Sequence, residues 1–217
     1  MIFLTCTFGL ASEVQAEELS PHFLYFILVD RFHNGDQGND QSIDLSDPQA
    51  FHGGDLNGIE AKLTYLEDLG VDSLWLSPIF SMRTENFQGH GAFHGYWVQD
   101  LGSIEPRFGG EKALLSLSQA TQQQEMNLIL DMVYNHVSFD SPMVAAHPNW
   151  FHTYPSITDW DDPFQLTNYQ VHGLPDLDQS QPLAYQYLLN QSLHWQQKAG
   201  VQGFRIDAIR HLENDFL

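Results

Sequence analysis

The sequence contains a single cysteine. Only Cys6 among its 217 residues carries a thiol, so no disulfide can form within the chain. Hydrophobic residues make up 42% of the chain and aromatic residues 13%, which is too much apolar side chain for a disordered protein. Stability must therefore come from a packed core, and the length is sufficient for one domain with a sizeable core.

Basic residues are also scarce. The chain has 8 Lys and Arg against 28 Asp and Glu, and its formal net charge is −20. Nucleic acids and anionic membrane surfaces attract proteins through basic surface. The composition therefore argues against both as partners.

Long apolar runs are confined to the N-terminus. The apolar run 2–11 is followed by Val14-Gln15-Ala16, whose small residues have the spacing that a signal peptidase reads. We predict a secretory signal peptide over residues 1–16 and a secreted or periplasmic mature protein, although the usual basic residues before the run are missing. The alternative is a first buried segment. No other run is long enough to span a membrane, so no membrane association is expected of the mature form.

Short apolar runs alternate with amphipathic segments through the rest of the chain. The run 23–29 is continuously apolar, which is typical of a parallel strand buried on both faces. Segment 58–69 has apolar residues at helical spacing and ends at Gly70. Strands at 73–77, 128–130 and 203–206 and helices at 111–124 and 183–199 continue the order. This alternation predicts an α/β fold with a parallel sheet.

Charged residues lie at the end of the last predicted strand. Arg205 and Asp207 are two residues apart, so they share one face of a strand. An arginine beside a carboxylate favours its ionised form. An ionised carboxylate at a strand end is what a covalent sugar-transfer mechanism uses as its nucleophile. For an isolated pair of this kind, a surface ion pair is the alternative.

Five segments together resemble the motifs of the α-amylase family of glycoside hydrolases (family 13), in that family's order. They are GVDSLWLSP at 70–78, FHGYW at 93–97, DMVYNH at 131–136, LPDLD at 174–178 and GFRIDAIRH at 203–211. The resemblance runs from about Phe23 to the end of the chain. It implies the N-terminal half of a (β/α)8 TIM barrel with an irregular excursion after the third strand.

The resemblance also implies a division of the chain. Residues 17–136 would form the first part of the catalytic barrel, 137–175 an inserted subdomain, and 176–217 the barrel continued through its fourth strand. The family's proton donor, a glutamate on the fifth strand, and its third catalytic acid, an aspartate after the seventh, have no counterpart here. Glu213 matches no family position. We therefore expect a truncated chain that is inactive alone, because general acid assistance is worth about 10²–10⁴ in rate.

Residues at strand ends receive roles from the resemblance, since active groups of such barrels collect there. Asp207 is the implied nucleophile, Arg205 orients and ionises it, and Asp131 supports both. Tyr96 is implied to stack on the sugar at the cleavage point, whereas Trp97 more often packs. The full implied set of substrate-binding residues is His94, Tyr96, His136, Arg210 and His211.

Two calcium sites are implied. Asn135, the Asp176 side chain and the His211 backbone carbonyl match the ligands of the family's conserved Ca²⁺. Segment 34–40 is dense in oxygen side chains and glycine, so it is either a solvated turn or a Ca²⁺ loop. It resembles the N-terminal calcium loop of cyclodextrin-processing members. The implied ligands of this second site are Asn34, Asp36, Asn39, Asp40, Gly53 and Asp55.

For the complete enzyme, the resemblance implies retaining hydrolysis of α-1,4-glucans such as starch and maltodextrin. One alternative is a cyclomaltodextrinase or glucan transferase of the same family, which segment 34–40 favours, whereas LPDLD at 174–178 is closer to the plain amylases. Another is a non-catalytic carbohydrate-binding or assembly member. Retention of Arg205, Asp207 and His136 argues against that last reading.

Overall fold

A computed structural model describes residues 23–216, and its centre is a four-stranded parallel sheet. The strands in chain order are β1 (Leu24–Ile27), β2 (Ser73–Leu76), β3 (Phe80–Met82), β4 (Val98–Ile104), β5 (Asn127–Met132) and β6 (Gly203–Ile206). The sheet order is β1-β2-β5-β6, and β3 and β4 form a separate antiparallel pair. The predicted signal peptide and Cys6 lie outside the described residues, so secretion stays a prediction.

Helices occupy most of the connections. They are α1 (Val29–Phe32), α2 (Leu56–Ala61), α3 (Leu63–Asp68), α4 (Gly110–Gln123), α5 (Pro142–Ala146), α6 (Pro163–Asn168) and α7 (Pro182–Ala199). Short 3-10 turns lie at Gln37–Asn39, Pro106–Phe108, Pro148–Trp150, Val171–Gly173, Ile209–His211 and Asn214–Phe216. Within residues 23–216, no helix combines the length and apolarity that crossing a membrane requires.

The parallel strands and their helical crossovers confirm the predicted fold class, the first half of a (β/α)8 barrel. All neighbours in the sheet run parallel, so their carboxyl ends meet at one edge. One face of the sheet is packed: Leu74, Leu76, Leu128 and Leu130 are fully buried. The other face, which would be the barrel interior, carries Phe26, Trp75 and Ile129 in register.

Trp195 is one of the residues that hold the helix α7 against the β3–β4 pair. Trp195 is 0% exposed, and its indole N–H donates to the Leu101 carbonyl at 2.8 Å. Its ring centroid lies 6.2 Å from that of Phe80. Trp195 therefore ties α7 to both strands of the β3–β4 pair.

Two local predictions were wrong. The first strand is not buried on both faces, because Leu24 and Phe26 are 44% and 43% exposed on the open face of an edge strand. The predicted helix 58–69 is two helices, α2 and α3, that meet at Lys62. Gly70 does end α3 as predicted, with a φ of +79° and its N–H bonded to the Glu67 carbonyl.

The β3–β4 pair was not predicted. Its residues fall in and beyond the loop after β2, a segment rich in glycine, histidine and aromatic residues. In β4 only Val98, Leu101 and Ile104 are buried, a spacing of three that matches neither strand alternation nor a continuous buried run. The excursion after β5 likewise contains two short helices, α5 and α6, that its sequence did not indicate.

Candidate active site

The end of β5 and the end of β6 place charged side chains next to each other. Asp131 and Arg205 are register partners across the β5–β6 pairing, so their side chains emerge from the same face. Arg205 Nη1 donates to Asp131 Oδ1 at 2.9 Å and Oδ2 at 3.1 Å, and to Asp207 Oδ1 at 2.6 Å. A single guanidinium nitrogen thus bridges two carboxylates.

Asp131 is the common acceptor of this cluster. Besides Arg205, it accepts the Trp75 indole N–H at 3.1 Å and the Tyr96 hydroxyl at 2.9 Å, both on Oδ2. The residue is only 1% exposed. Burial raises the pKa of Asp131, and the hydrogen bonds from Arg205, Tyr96 and Trp75 oppose that rise. Sequence reasoning missed Trp75, although strand alternation places it on the face that carries Asp131.

Asp207 is the first residue beyond β6. Its N–H extends the parallel ladder by bonding to the Met132 carbonyl at 2.9 Å. The next residue, Ala208, has a φ of +51°, which turns the chain sharply away from the strand. The Asp207 side chain is 18% exposed, so a ligand above the strand ends can reach it.

The loop 93–97 brings His94 and Tyr96 over the same edge. The Tyr96 N–H donates to His94 Nδ1 at 3.0 Å, and the two rings are stacked with centroids 5.9 Å apart. Burial, helped by the charge of His136, lowers the pKa of His94 to about 4. His94 is therefore neutral at pH 7, and because Nδ1 accepts, its proton is on Nε2. Burial and the Asp131 charge raise the pKa of Tyr96, so its hydroxyl remains a donor.

His136 holds this loop in place. Its Nε2–H donates to the Tyr96 carbonyl at 3.2 Å, and the residue is 5% exposed. Burial lowers the pKa of His136, against the opposing charge of Asp207. Trp97 packs in the aromatic cluster behind the loop, with its ring centroid 6.0 Å from Phe87 and 5.9 Å from Phe139, as the sequence indicated.

Arg210 and His211 contact the excursion. Arg210 Nη2 donates to the Trp160 carbonyl at 2.9 Å, and His211 Nδ1 donates to the Leu166 carbonyl at 2.8 Å. The implied sugar-binding set thus falls into two groups. His94, Tyr96 and His136 adjoin the carboxylate cluster, whereas Arg210 and His211 connect the turn after β6 to the excursion.

Asn135 and Asp176, two of the predicted calcium ligands, lie on neighbouring segments. Their segments are joined by the His136–Asp176 bridge and by the Leu177 N–H bonded to the Asn135 carbonyl at 2.8 Å. Asn135 is 0% exposed, and its Oδ1 has no hydrogen-bond donor among the described residues. Burial raises the pKa of Asp176 to about 6. A buried amide oxygen without a donor beside a carboxylate fits a hard cation.

The second candidate calcium site also contains buried amide oxygens that lack a hydrogen-bond donor. In segment 34–40 the Oδ1 atoms of Asn34 and Asn39 are both buried without a donor among residues 23–216. A Cβ on Gly53, whose φ is +87°, would lie 2.6 Å from Asp40 Oδ1, so only glycine permits this approach. Asp55 has a further role, because its Oδ1 accepts the Gly58 N–H at 2.6 Å and caps α2.

The carboxyl ends of the parallel strands, where this cluster lies, are the position at which (β/α)8 barrel enzymes place their active sites. Residues 26–216 match the family model described as the alpha amylase catalytic domain. The chain therefore belongs to the α-amylase family.

Relatives within the family have several activities. The chain is 36% identical over 221 residues to the cyclomaltodextrin glucanotransferase of Klebsiella oxytoca, covering 89% of this chain and 33% of that protein. It is 32% identical over 209 residues to the intracellular maltogenic amylase of Bacillus subtilis, covering 88% and 34%. It superposes on the crystal structure of an Anoxybacillus α-amylase with a TM-score of 0.84 at 37% identity, covering 89% of this chain and 42% of the other. The chain spans about a third of the length of these two curated relatives.

Proposed function

We propose that the protein containing this chain hydrolyses α-1,4-glucans with retention of configuration and that Asp207 is its nucleophile. The observation that carries the proposal is the Arg205 bridge: Nη1 lies 2.6 Å from Asp207 Oδ1 and 2.9 Å from Asp131 Oδ1. Among the described residues, Arg205 binds only one oxygen of Asp207. The bridge therefore orients the carboxylate and leaves Oδ2 for attack.

The chemistry is a double displacement. Asp207 Oδ2 forms a bond to the anomeric carbon while the glycosidic C–O bond breaks and the leaving oxygen takes a proton from a general acid. Water then attacks the anomeric carbon and gives a proton to the conjugate base of that acid, and the ester bond to Asp207 breaks. Asp131 is a poor candidate for the acid, because its carboxylate is 1% exposed and accepts hydrogen bonds from three side chains. No described residue is assigned to that role.

The loop 93–97 supplies the proposed sugar platform. Tyr96 presents an aromatic ring next to the carboxylate cluster, and pyranose rings expose apolar faces that stack on aromatic rings. His94, neutral with its proton on Nε2, adds a hydrogen-bond donor beside that ring. Because the Tyr96 hydroxyl also bonds to Asp131, sugar stacking and nucleophile orientation share one network.

A glucan transferase of the same family is the second candidate. Segment 34–40, with the unpartnered oxygens of Asn34 and Asn39, supports it, since this loop resembles one found in cyclodextrin-processing members. Hydrolase and transferase share Asp207 and differ in whether water or a sugar hydroxyl resolves the intermediate. The hydrogen bonds from Arg205 to Asp131 and Asp207 argue against the alternative that the protein is a non-catalytic carbohydrate-binding module.

The test is covalent labelling of a protein that contains this chain and the rest of its barrel. A mechanism-based glucoside inhibitor traps the glycosyl-enzyme, and peptide mass spectrometry locates the label, which we expect on Asp207. A label on another carboxylate, or none under conditions of turnover, would sink the assignment. Products formed from maltodextrin with and without added glucose as acceptor then separate hydrolase from transferase.

Calcium binding is proposed at both candidate sites, where it would brace the barrel and the excursion without entering the chemistry. Asn135, Asp176 and the His211 carbonyl would hold one ion. The other ion would lie in segment 34–40 with Gly53 and Asp55. Ca²⁺ is coordinated by six to eight oxygen ligands, so a bound ion would give the amide oxygens of Asn34, Asn39 and Asn135 the partner that they lack among the described residues.

We therefore expect two Ca²⁺ per chain in calorimetric titration. Asn135→Ala removes one equivalent and Asp40→Ala the other, whereas Asp68→Asn, an exposed control on α3, leaves both. At a free Ca²⁺ concentration of 100 Kd each site adds about 2.7 kcal/mol to the free energy of unfolding, so chelation lowers Tm. Equal stoichiometry in the wild type and both site variants would refute the assignment.

A further inference from the structure

His152, Asp178 and Glu213 bring one imidazole nitrogen and two carboxylates together. His152 Nε2 lies 3.6 Å from Asp178 Oδ1 and 3.8 Å from Glu213 Oε1. One ligand atom from each of the three lies within 4.8 Å of the other two. The residues come from three separate segments: the excursion, the LPDLD motif and the turn region after β6.

The separations do not suit hydrogen bonds. An N–H donor and its acceptor oxygen lie about 2.7–3.2 Å apart, which is shorter than either distance from His152 Nε2. They do suit a shared ion. Ligand atoms about 2.0–2.1 Å from a tetrahedral zinc are about 3.4 Å from one another. One ligand atom of each side chain is thus close enough to the other two to share one metal ion, and Asp178 Oδ1 also accepts hydrogen bonds from the N–H and the hydroxyl of Ser180.

His152 is also oriented as metal-binding histidines are. Its Nδ1–H donates to Asp176 Oδ2 at 2.8 Å, and Asp176 is 1% exposed. This bond keeps a proton on Nδ1 and turns Nε2 towards Asp178 and Glu213. A carboxylate behind the far nitrogen of a histidine is the usual support of a zinc ligand.

We propose that His152, Asp178 and Glu213 form a Zn²⁺ site, separate from the calcium site at Asn135 and Asp176. An imidazole ligand favours zinc and similar transition metals over Ca²⁺, which takes oxygen ligands. A water molecule would be the fourth ligand, because Glu213 borders a solvent-open cavity of about 590 Å³ that gives an ion access. Zinc here would clamp the excursion to the turn region after β6.

The test is a calorimetric titration of the full chain with Zn²⁺ in a buffer saturated with Ca²⁺. We expect one Zn²⁺ per chain. His152→Asn places an amide N–H where Nδ1 was, so the bond to Asp176 can persist while the Nε2 ligand is lost, and we expect affinity to fall about 100-fold. Glu213→Gln removes one charged ligand, and we expect a fall of about 10-fold or more.

The matched control is Asp215→Asn, an exposed carboxylate two residues from Glu213, which we expect to bind Zn²⁺ as the wild type does. Absence of Zn²⁺ binding, or equal affinity in the wild type and Glu213→Gln, overturns the proposal. Glu213→Gln decides the matter even if His152→Asn does not fold. Because the readout is Zn²⁺ affinity, the result is independent of labelling at Asp207.

Discussion

We expect Asp207→Asn to abolish the glucan hydrolysis that we propose for the protein containing the complete barrel, with a loss in kcat of about 10⁴-fold or more, the scale seen when one member of a catalytic unit is removed. The amide is uncharged and cannot form the glycosyl ester, so the first displacement has no nucleophile. Release of reducing ends from soluble starch measures the effect.

The control for this substitution is Asp68→Asn on α3, an exposed carboxylate remote in sequence from the motifs, and its activity should equal that of the wild type. The fold of the Asp207 variant should persist, since its side chain is 18% exposed and its backbone N–H still bonds to Met132. Starch hydrolysis above about a tenth of the wild-type rate would transfer the nucleophile role to another residue.

Gly95→Ala destabilises the protein and displaces the loop that carries Tyr96. A Cβ on Gly95 would lie 2.1 Å from the Pro78 carbonyl oxygen, and the φ of +85° is itself unfavourable for alanine. The conformation costs about 1–2 kcal/mol, and the overpacked contact adds about 1–3 kcal/mol. Urea denaturation measures the sum, and a Tyr96 ring shifted by 1 Å should cost about 10²-fold in kcat.

Gly89→Ala separates these two contributions. Gly89 has the same φ of +85°, but an added Cβ would meet nothing within 4 Å. It should therefore show only the conformational cost and unchanged activity. If the two alanine variants are equally stable, the contact with Pro78 is not the constraint we infer.

The sequence was informative where apolar runs were continuous and where polar residues ended them. The four parallel strands were located within a few residues, because apolar residues predominate in the runs that form β1, β2 and β5. Asp207 and Arg205 followed from the end of such a run. The family resemblance then supplied roles that residue types alone do not carry.

Contacts between residues that are far apart in the chain could not be predicted from the sequence. Trp75 and Tyr96 lie 56 and 35 residues from Asp131, and their hydrogen bonds depend on strand register and loop path. His152 was missed for the same reason, since its partners Asp176 and Glu213 approach only after the excursion folds back. The exposure of Phe26 depends on which face of the sheet is covered, which an apolar run does not reveal.

The sheet order β1-β2-β5-β6 has a consequence for synthesis on the ribosome. Each strand after β1 pairs with the sheet strand made just before it, so a nascent chain can add strands at a single growing edge. Asp131, however, emerges 74 residues before Arg205. At a translation rate of about 5–20 residues per second, the Arg205 guanidinium is synthesised roughly 4–15 s after the Asp131 carboxylate. Docking of β6 therefore ends the period in which this buried charge is unpaired, and the same event orients Asp207.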